Sequence, residues 1–74
     1  MFDLNGETWY VMLVSPGHPH LRRSDGSIAI GMCDDMTKTI YLDDTLRPDL
    51  MHKVLTHEVA HAAMFSYNVN LSPC

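Results

Sequence analysis

His57, Glu58 and His61 are the residues whose types and spacing could do chemistry, because residues 57–61 read H-E-x-x-H. Residues four positions apart lie above one another on an α-helix, so two imidazole nitrogens can point at one ion. Glu58 follows His57 by about 100° around the axis, which places its carboxylate beside that ion, where it can hold a water molecule. Two neutral nitrogen ligands with an adjacent carboxylate base are what a zinc hydrolase needs from a helix.

The residues around this pentapeptide favour metal binding over a chance pair of histidines. Val54-Leu55 precede it and Ala62-Ala63 follow it, and residues 54–63 contain no proline, no glycine and no charge other than the motif's own glutamate. An ordinary helix that carries two histidines four positions apart is the alternative. The uncharged, mostly apolar flanks are typical of the extended metallopeptidase motif instead.

Length and composition predict one small domain that spans residues 1–74. Hydrophobic residues make up 46% and charged residues 19% of the chain, a balance typical of a globular protein. A chain of this size buries only about 60% of the surface that it exposes when unfolded. A bound metal would therefore contribute to folding as well as to chemistry.

Charge and hydropathy exclude several classes of function. The formal net charge of −4 argues against a nucleic-acid-binding protein. No apolar run approaches the ~20 residues of a membrane span, and the N-terminus has no basic segment of a signal peptide. We expect a cytoplasmic protein in which Cys33 and Cys74 stay reduced.

The first half of the sequence predicts antiparallel β-structure. Asn5-Gly6 is a strong hairpin signal between a short strand at Phe2-Leu4 and the apolar run Thr8 to Val14, which we interpret as a central strand buried on both faces. A loop rich in proline and glycine follows. Two further strands are expected at Ile28 to Cys33 and Lys38 to Leu42.

A long helix is expected to carry the motif. Asp44 or Thr45 can cap it, Pro48 suits its first turn, and Asp49 complements the positive end of its dipole. Apolar residues then recur at helical spacing, and we expect a helix of about five turns that ends near Asn68. The fold class is thus α+β: a small, mostly antiparallel sheet of three to four strands packed against one long C-terminal helix.

The chain resembles a small phage- and mobile-element-associated group of zinc peptidases related to the ImmA/IrrE-type metallopeptidases, which are zincins. The matching pieces cover about four-fifths of the chain: Val14-Ser15-Pro16-Gly17-His18-Pro19, Leu21-Arg22-Arg23-Ser24-Asp25-Gly26, Ile40-Tyr41-Leu42, Val54 to His61 and Phe65-Ser66-Tyr67-Asn68. The resemblance implies that His57 and His61 are zinc ligands and that Glu58 is the general base. It also implies a third ligand, an acidic residue on a later helix.

The sequence departs from the family at that third ligand, because it ends at residues 71–74, where the later helix would begin. A catalytic zinc site usually has three protein ligands. The third could lie on a missing C-terminal segment, come from a second molecule by self-association, or be supplied within the chain. The local candidates are His18, His20, Asp43, Asp44 and Cys74, whereas His52 is turned about 140° away from His57.

We expect a zinc-dependent peptidase in which Glu58 activates a water molecule to hydrolyse a peptide bond. A peptide or protein substrate would pair with a strand edge, offered either by Ile28 to Cys33 or by Lys38 to Leu42. One alternative is a degenerate or truncated zincin that binds metal or a partner protein without hydrolysis. A second alternative is an α+β domain without metal, whose histidines are satisfied by hydrogen bonds.

Overall fold

Four strands and one long helix make up the fold in a computed structural model, which describes residues 1–67. The strands are β1 (Phe2–Leu4), β2 (Glu7–Val14), β3 (Gly31–Asp34) and β4 (Thr39–Asp43), the long helix is α1 (Pro48–Ser66), and a 3-10 turn spans Pro19–Leu21. The element order β-β-β-β-α and the α+β class are confirmed. Within residues 1–67, no helix combines the length and apolar character that a membrane crossing requires.

The strands form one mixed sheet in the order β1-β2-β4-β3. The β1–β2 and β3–β4 pairs are antiparallel, whereas β2 and β4 run parallel. Asn5 and Gly6 both have positive φ angles, 50° and 79°, as a two-residue hairpin turn requires. The predicted hairpin is therefore confirmed, and β3 is an outer strand of the sheet.

The strand that is buried on both faces is β4 and not β2. All five residues of β4 are buried, whereas β2 buries only Trp9 and Val14. Strand β4 lies between β2 and β3, with α1 against one face and the 3-10 turn against the other. The apolar run in β2 suggested burial on both faces. However, β1 pairs with only the first three residues of β2, and Tyr10 to Leu13 are exposed.

The third strand begins three residues later and ends one residue later than predicted. Ile28 forms only an isolated bridge with Arg22, and regular pairing begins at Gly31. The side chains of Ile28 and Ile30 are exposed, while Ala29 between them is buried. The fourth strand begins and ends one residue later than predicted.

The long helix begins and ends close to the predicted positions, but its N-terminal cap was predicted wrongly. Arg47 occupies the cap position without a side-chain hydrogen bond, and Pro48 and Asp49 lie in the first turn as expected. Thr45 instead donates hydrogen bonds from its backbone N–H and its hydroxyl to Asp43 Oδ1, at 2.8 and 2.6 Å. The helix ends at Ser66, and Asn68, where it was expected to end, lies outside the described residues.

One face of α1 packs on the sheet and builds the main core. Trp9, Ile40, Leu42 and Ala62 are fully buried there, and the helix adds Met51, Val54, Leu55 and Val59. A smaller cluster lies on the opposite face of the sheet, where Leu21 of the 3-10 turn contacts Val14 and Tyr41. Strand β4 is therefore covered on both faces, and the motif helix packs mainly against β3 and β4.

Candidate metal centre

The structure brings His57, Glu58 and His61 together into a group that could hold a metal ion. One ligand atom from each residue lies within 4.8 Å of the others, close enough for a single ion to contact all three. The two imidazole rings are 4.5 Å apart and meet edge to face. The group forms because an unbroken helix places residues 57 and 61 on one face.

Glu58 lies in an unusual environment for a glutamate, since only 7% of its surface is exposed. Glutamate is rarely buried unless it has a partner or a function. Its Oε1 lies 3.5 Å from His61 Nδ1. Burial of the carboxylate at the base of a cleft is the arrangement that a base protected from bulk water requires.

Gly31 of β3 is what allows the helix to approach the sheet at this point. A Cβ atom at residue 31 would lie 2.5 Å from Val54 Cγ1 and 3.4 Å from Glu58 Cγ. Any side chain there would push α1 away from β3 or displace these two helical residues. A glycine inside a strand often marks such a close approach of another segment.

The Nε2 atom of His61 is buried and has no hydrogen-bond partner among the described residues. A buried polar atom without a partner destabilises the folded state by about 1–3 kcal/mol. The other ring nitrogen faces Glu58, so Nε2 is the atom left to bind a ligand. A metal ion at this position would satisfy it, and two imidazoles with a carboxylate are a suitable set of ligands for a first-row transition metal.

A groove of about 480 Å³ runs between α1 and the outer strand β3, with the three residues along its helical wall. Residues 30–33 line the opposite wall. Arg23 and Lys53 also line it, so two of the chain's five lysine and arginine residues are at this groove. The candidate centre is therefore accessible to a ligand that lies along β3.

Cys33 is a half-buried thiol in the same groove. Burial, together with the negative charge of Glu58, raises the pKa of this thiol to about 12. The thiol therefore stays protonated at neutral pH in the metal-free protein. A protonated thiol is a poor metal ligand and a poor nucleophile. We therefore do not count Cys33 among the candidate metal ligands.

The structure does not bring the local candidates for a third ligand to the centre. The ring of His20 stacks at 4.3 Å on Tyr41, which belongs to the cluster on the face of the sheet opposite α1, and His18 stacks on His20. Asp43 accepts hydrogen bonds from Thr45. Asp44 is exposed, and within residues 1–67 it joins no group of potential metal ligands. Cys74 lies outside the described residues.

Gly31 and Arg23 are among the groove residues that were not identified from the sequence. The strand position of Gly31 was a usable signal, because glycine weakens a strand unless something packs closely against it. Arg23 has an exposed side chain that also lines the groove. No local pattern indicates this, since the position of Arg23 depends on how the loop before β3 folds back.

Comparisons with protein-family models, with curated proteins and with solved structures give no match for this chain. The residues and geometry of the described chain support a metal-binding group in a groove.

Proposed function

We propose that this protein is a zinc-dependent peptidase. The observation that carries the proposal is the position of His57, Glu58 and His61, which lie within reach of one ion on the wall of an open groove. His57 and His61 would hold the zinc through ring nitrogens, with His61 using its unpartnered Nε2. Zinc bound there would supply an acidified water molecule and polarisation of the scissile carbonyl.

Glu58 is the proposed general base. Its carboxylate is one helical step from His57 and faces the groove, where it can take a proton from a water molecule and later deliver it to the leaving amine. Burial of Glu58 limits competition from bulk water.

The proposed substrate is an extended peptide that pairs with β3. Of the two strand edges considered from the sequence, β4 is internal to the sheet and β3 is an outer strand along the groove. Main-chain hydrogen bonds to β3 would place a peptide bond beside Glu58. Arg23 and Lys53 favour a peptide that carries negative charge near this bond.

The substitution Glu58→Gln tests the role of the base. A glutamine keeps the size of the side chain but cannot accept the proton, so we expect hydrolysis of a peptide library to fall at least about a hundredfold. Zinc binding, measured by elemental analysis after dialysis, should remain near that of the unchanged protein. Mass spectrometry of the library reports both the activity and the preferred peptide charge.

The matched control is Glu7→Gln, which changes the other glutamate of the chain, one that pairs with Lys38 on the surface. This variant should retain both activity and zinc. Loss of zinc in Glu58→Gln would identify Glu58 as a ligand and contradict its role as the base.

A second candidate is a metal-binding or protein-interaction module without hydrolytic activity. Within residues 1–67, no fourth histidine, cysteine or carboxylate joins the group, and a catalytic zinc commonly has three protein ligands besides its water. In this function Glu58 would complete the set of ligands. Stoichiometric zinc with no cleavage of any library peptide, together with zinc loss in Glu58→Gln, would favour it over the peptidase.

A further inference from the structure

One edge of strand β2 is not paired with another described strand beside Tyr10 to Val14. Its first three residues pair with β1, and Tyr10 to Val14 pair with β4 on the other side. No strand of residues 1–67 pairs with the remaining edge beside Tyr10 to Val14. This edge lies on the opposite side of the sheet from β3 and from the groove.

The backbone groups at this open edge belong to Val11 and Leu13. The N–H of Tyr10 donates to Lys38 O at 2.9 Å, and Val14 O accepts from Asp44 N at 2.8 Å, so residues 10 and 14 direct their backbone groups toward β4. Hydrogen-bonding direction alternates along a strand. The N–H and C=O groups of Val11 and Leu13 therefore point outward, which presents two donors and two acceptors.

The side chains around this edge are apolar and exposed. Tyr10, Val11, Met12 and Leu13 expose 51%, 36%, 51% and 55% of their surface, and residues 8–14 include no charge. Open strand edges are usually protected by lysine, proline or a bulge, because they otherwise pair with another strand. None of these devices is present between Thr8 and Val14.

We propose that this edge pairs with the same edge of a second copy of the chain. An antiparallel arrangement centred on Met12 places Val11 of one copy opposite Leu13 of the other. Because both residues point their backbone groups outward, each such pair can form two hydrogen bonds, and symmetry gives four in total. The edge is thus complementary to itself, as the interface of a two-fold symmetric dimer must be.

The resulting dimer contains one continuous sheet built from eight strands, four from each copy. Because β1 pairs only with the first residues of its own β2, it lies in line with β2 of the other copy, and the sheet is six strands wide. A two-fold axis perpendicular to the sheet keeps both α1 helices on the same face. The two β3 strands, with their grooves, then lie at the outer ends of the sheet. Dimerisation therefore does not supply a third ligand to the metal centre, and it neither requires nor blocks metal binding.

The oligomeric state tests this proposal. Sedimentation equilibrium of the full chain from 1 to 200 μM should show a monomer–dimer equilibrium. Leu13→Lys should weaken the dimer more than roughly tenfold, because a charge at the edge must be desolvated on pairing. The control Ile28→Lys changes an equally exposed apolar residue, 56% against 55%, and should leave the dimer intact.

Cross-linking tests the register in a background with Cys33→Ala and Cys74→Ala. Met12→Cys should form a disulfide-linked dimer under mild oxidation, because residue 12 faces its own copy across the axis. Tyr10→Cys lies on the same face with the same 51% exposure, but it would face residue 14 and should not cross-link. A monomer at every concentration overturns the proposal. So does a dimer that Leu13→Lys does not weaken and that Met12→Cys does not cross-link.

Discussion

At the scale of single residues, the arrangement of His61 explains why this histidine is suited to a metal site. One ring nitrogen faces the carboxylate of Glu58 at 3.5 Å, and the other is buried without a partner among the described residues. A carboxylate beside one ring nitrogen orients the imidazole and increases the basicity of the other. Metal binding would therefore remove an unfavourable feature of the metal-free fold.

His57→Ala and His61→Ala should each reduce zinc binding by at least about tenfold, because each removes one of two nitrogen ligands. His52→Ala is the matched control, since His52 is an exposed histidine on the same helix and is not part of the group. It should bind zinc like the unchanged protein. Isothermal titration with zinc measures all three variants, and equal losses in all three would mean nonspecific histidine binding.

At the scale of elements, the close approach of α1 to β3 places Glu58 at the groove. The contact occurs at Gly31, where the absence of a side chain leaves room for Val54 and Glu58. Two hydrogen bonds hold the other end of the helix on the β1–β2 hairpin: Trp9 Nε1 donates to Ser66 Oγ, and Asn5 Nδ2 donates to Ser66 O, both at 2.8 Å. The helix is therefore positioned on the sheet at both ends of the motif.

Gly31→Ala should lower the free energy of unfolding by about 1–3 kcal/mol, because the added methyl group overlaps Val54 Cγ1. It should also lower peptide hydrolysis, because it moves the proposed base Glu58 relative to the two histidines. Urea denaturation and a peptide-hydrolysis assay measure the two effects.

A double substitution provides the control for this prediction. Gly31→Ala combined with Val54→Ala removes the overlapping atoms, so the pair should be less destabilising than the sum of the two single changes. Strict additivity would show that the helix does not approach the strand as closely as the structure indicates.

At the scale of the whole molecule, a 74-residue chain has a small core, whose fully buried large side chains are Trp9, Leu21, Ile40 and Leu42 in the described part. Such domains often depend on a metal or an oligomer for additional stability. The metal centre and the β2 edge lie on opposite sides of the sheet, so they can stabilise the fold independently.

Zinc should raise the melting temperature of the protein. Binding to the folded state alone contributes about 2.7 kcal/mol at a free zinc concentration of a hundred times Kd, and each kcal/mol corresponds to roughly 4–8 °C for a domain of this size. Differential scanning calorimetry with and without zinc measures the shift, and His61→Ala should abolish it. An unchanged melting temperature in saturating zinc would show that the ion does not bind the folded state preferentially.

The sequence by itself determined the local features of this protein. The Asn5-Gly6 turn, the place of Pro48 in the first turn of α1 and the group of His57, Glu58 and His61 were predictable, because each depends on residues fewer than five positions apart. Helical spacing alone brings the two histidines together. The α+β class followed from the order of these elements.

Only the tertiary structure decided which strand is central, which strand lies at the groove and which candidate ligands are remote. The apolar run in β2 resembles a buried strand, yet most of its residues are exposed. The reason is that β1 pairs with only three residues of β2 and α1 packs mainly on β3 and β4. His20 and Asp43 are separated from the metal centre because alternate residues of β4 face opposite sides of the sheet. These outcomes depend on contacts between distant segments, for which local residue patterns carry no information.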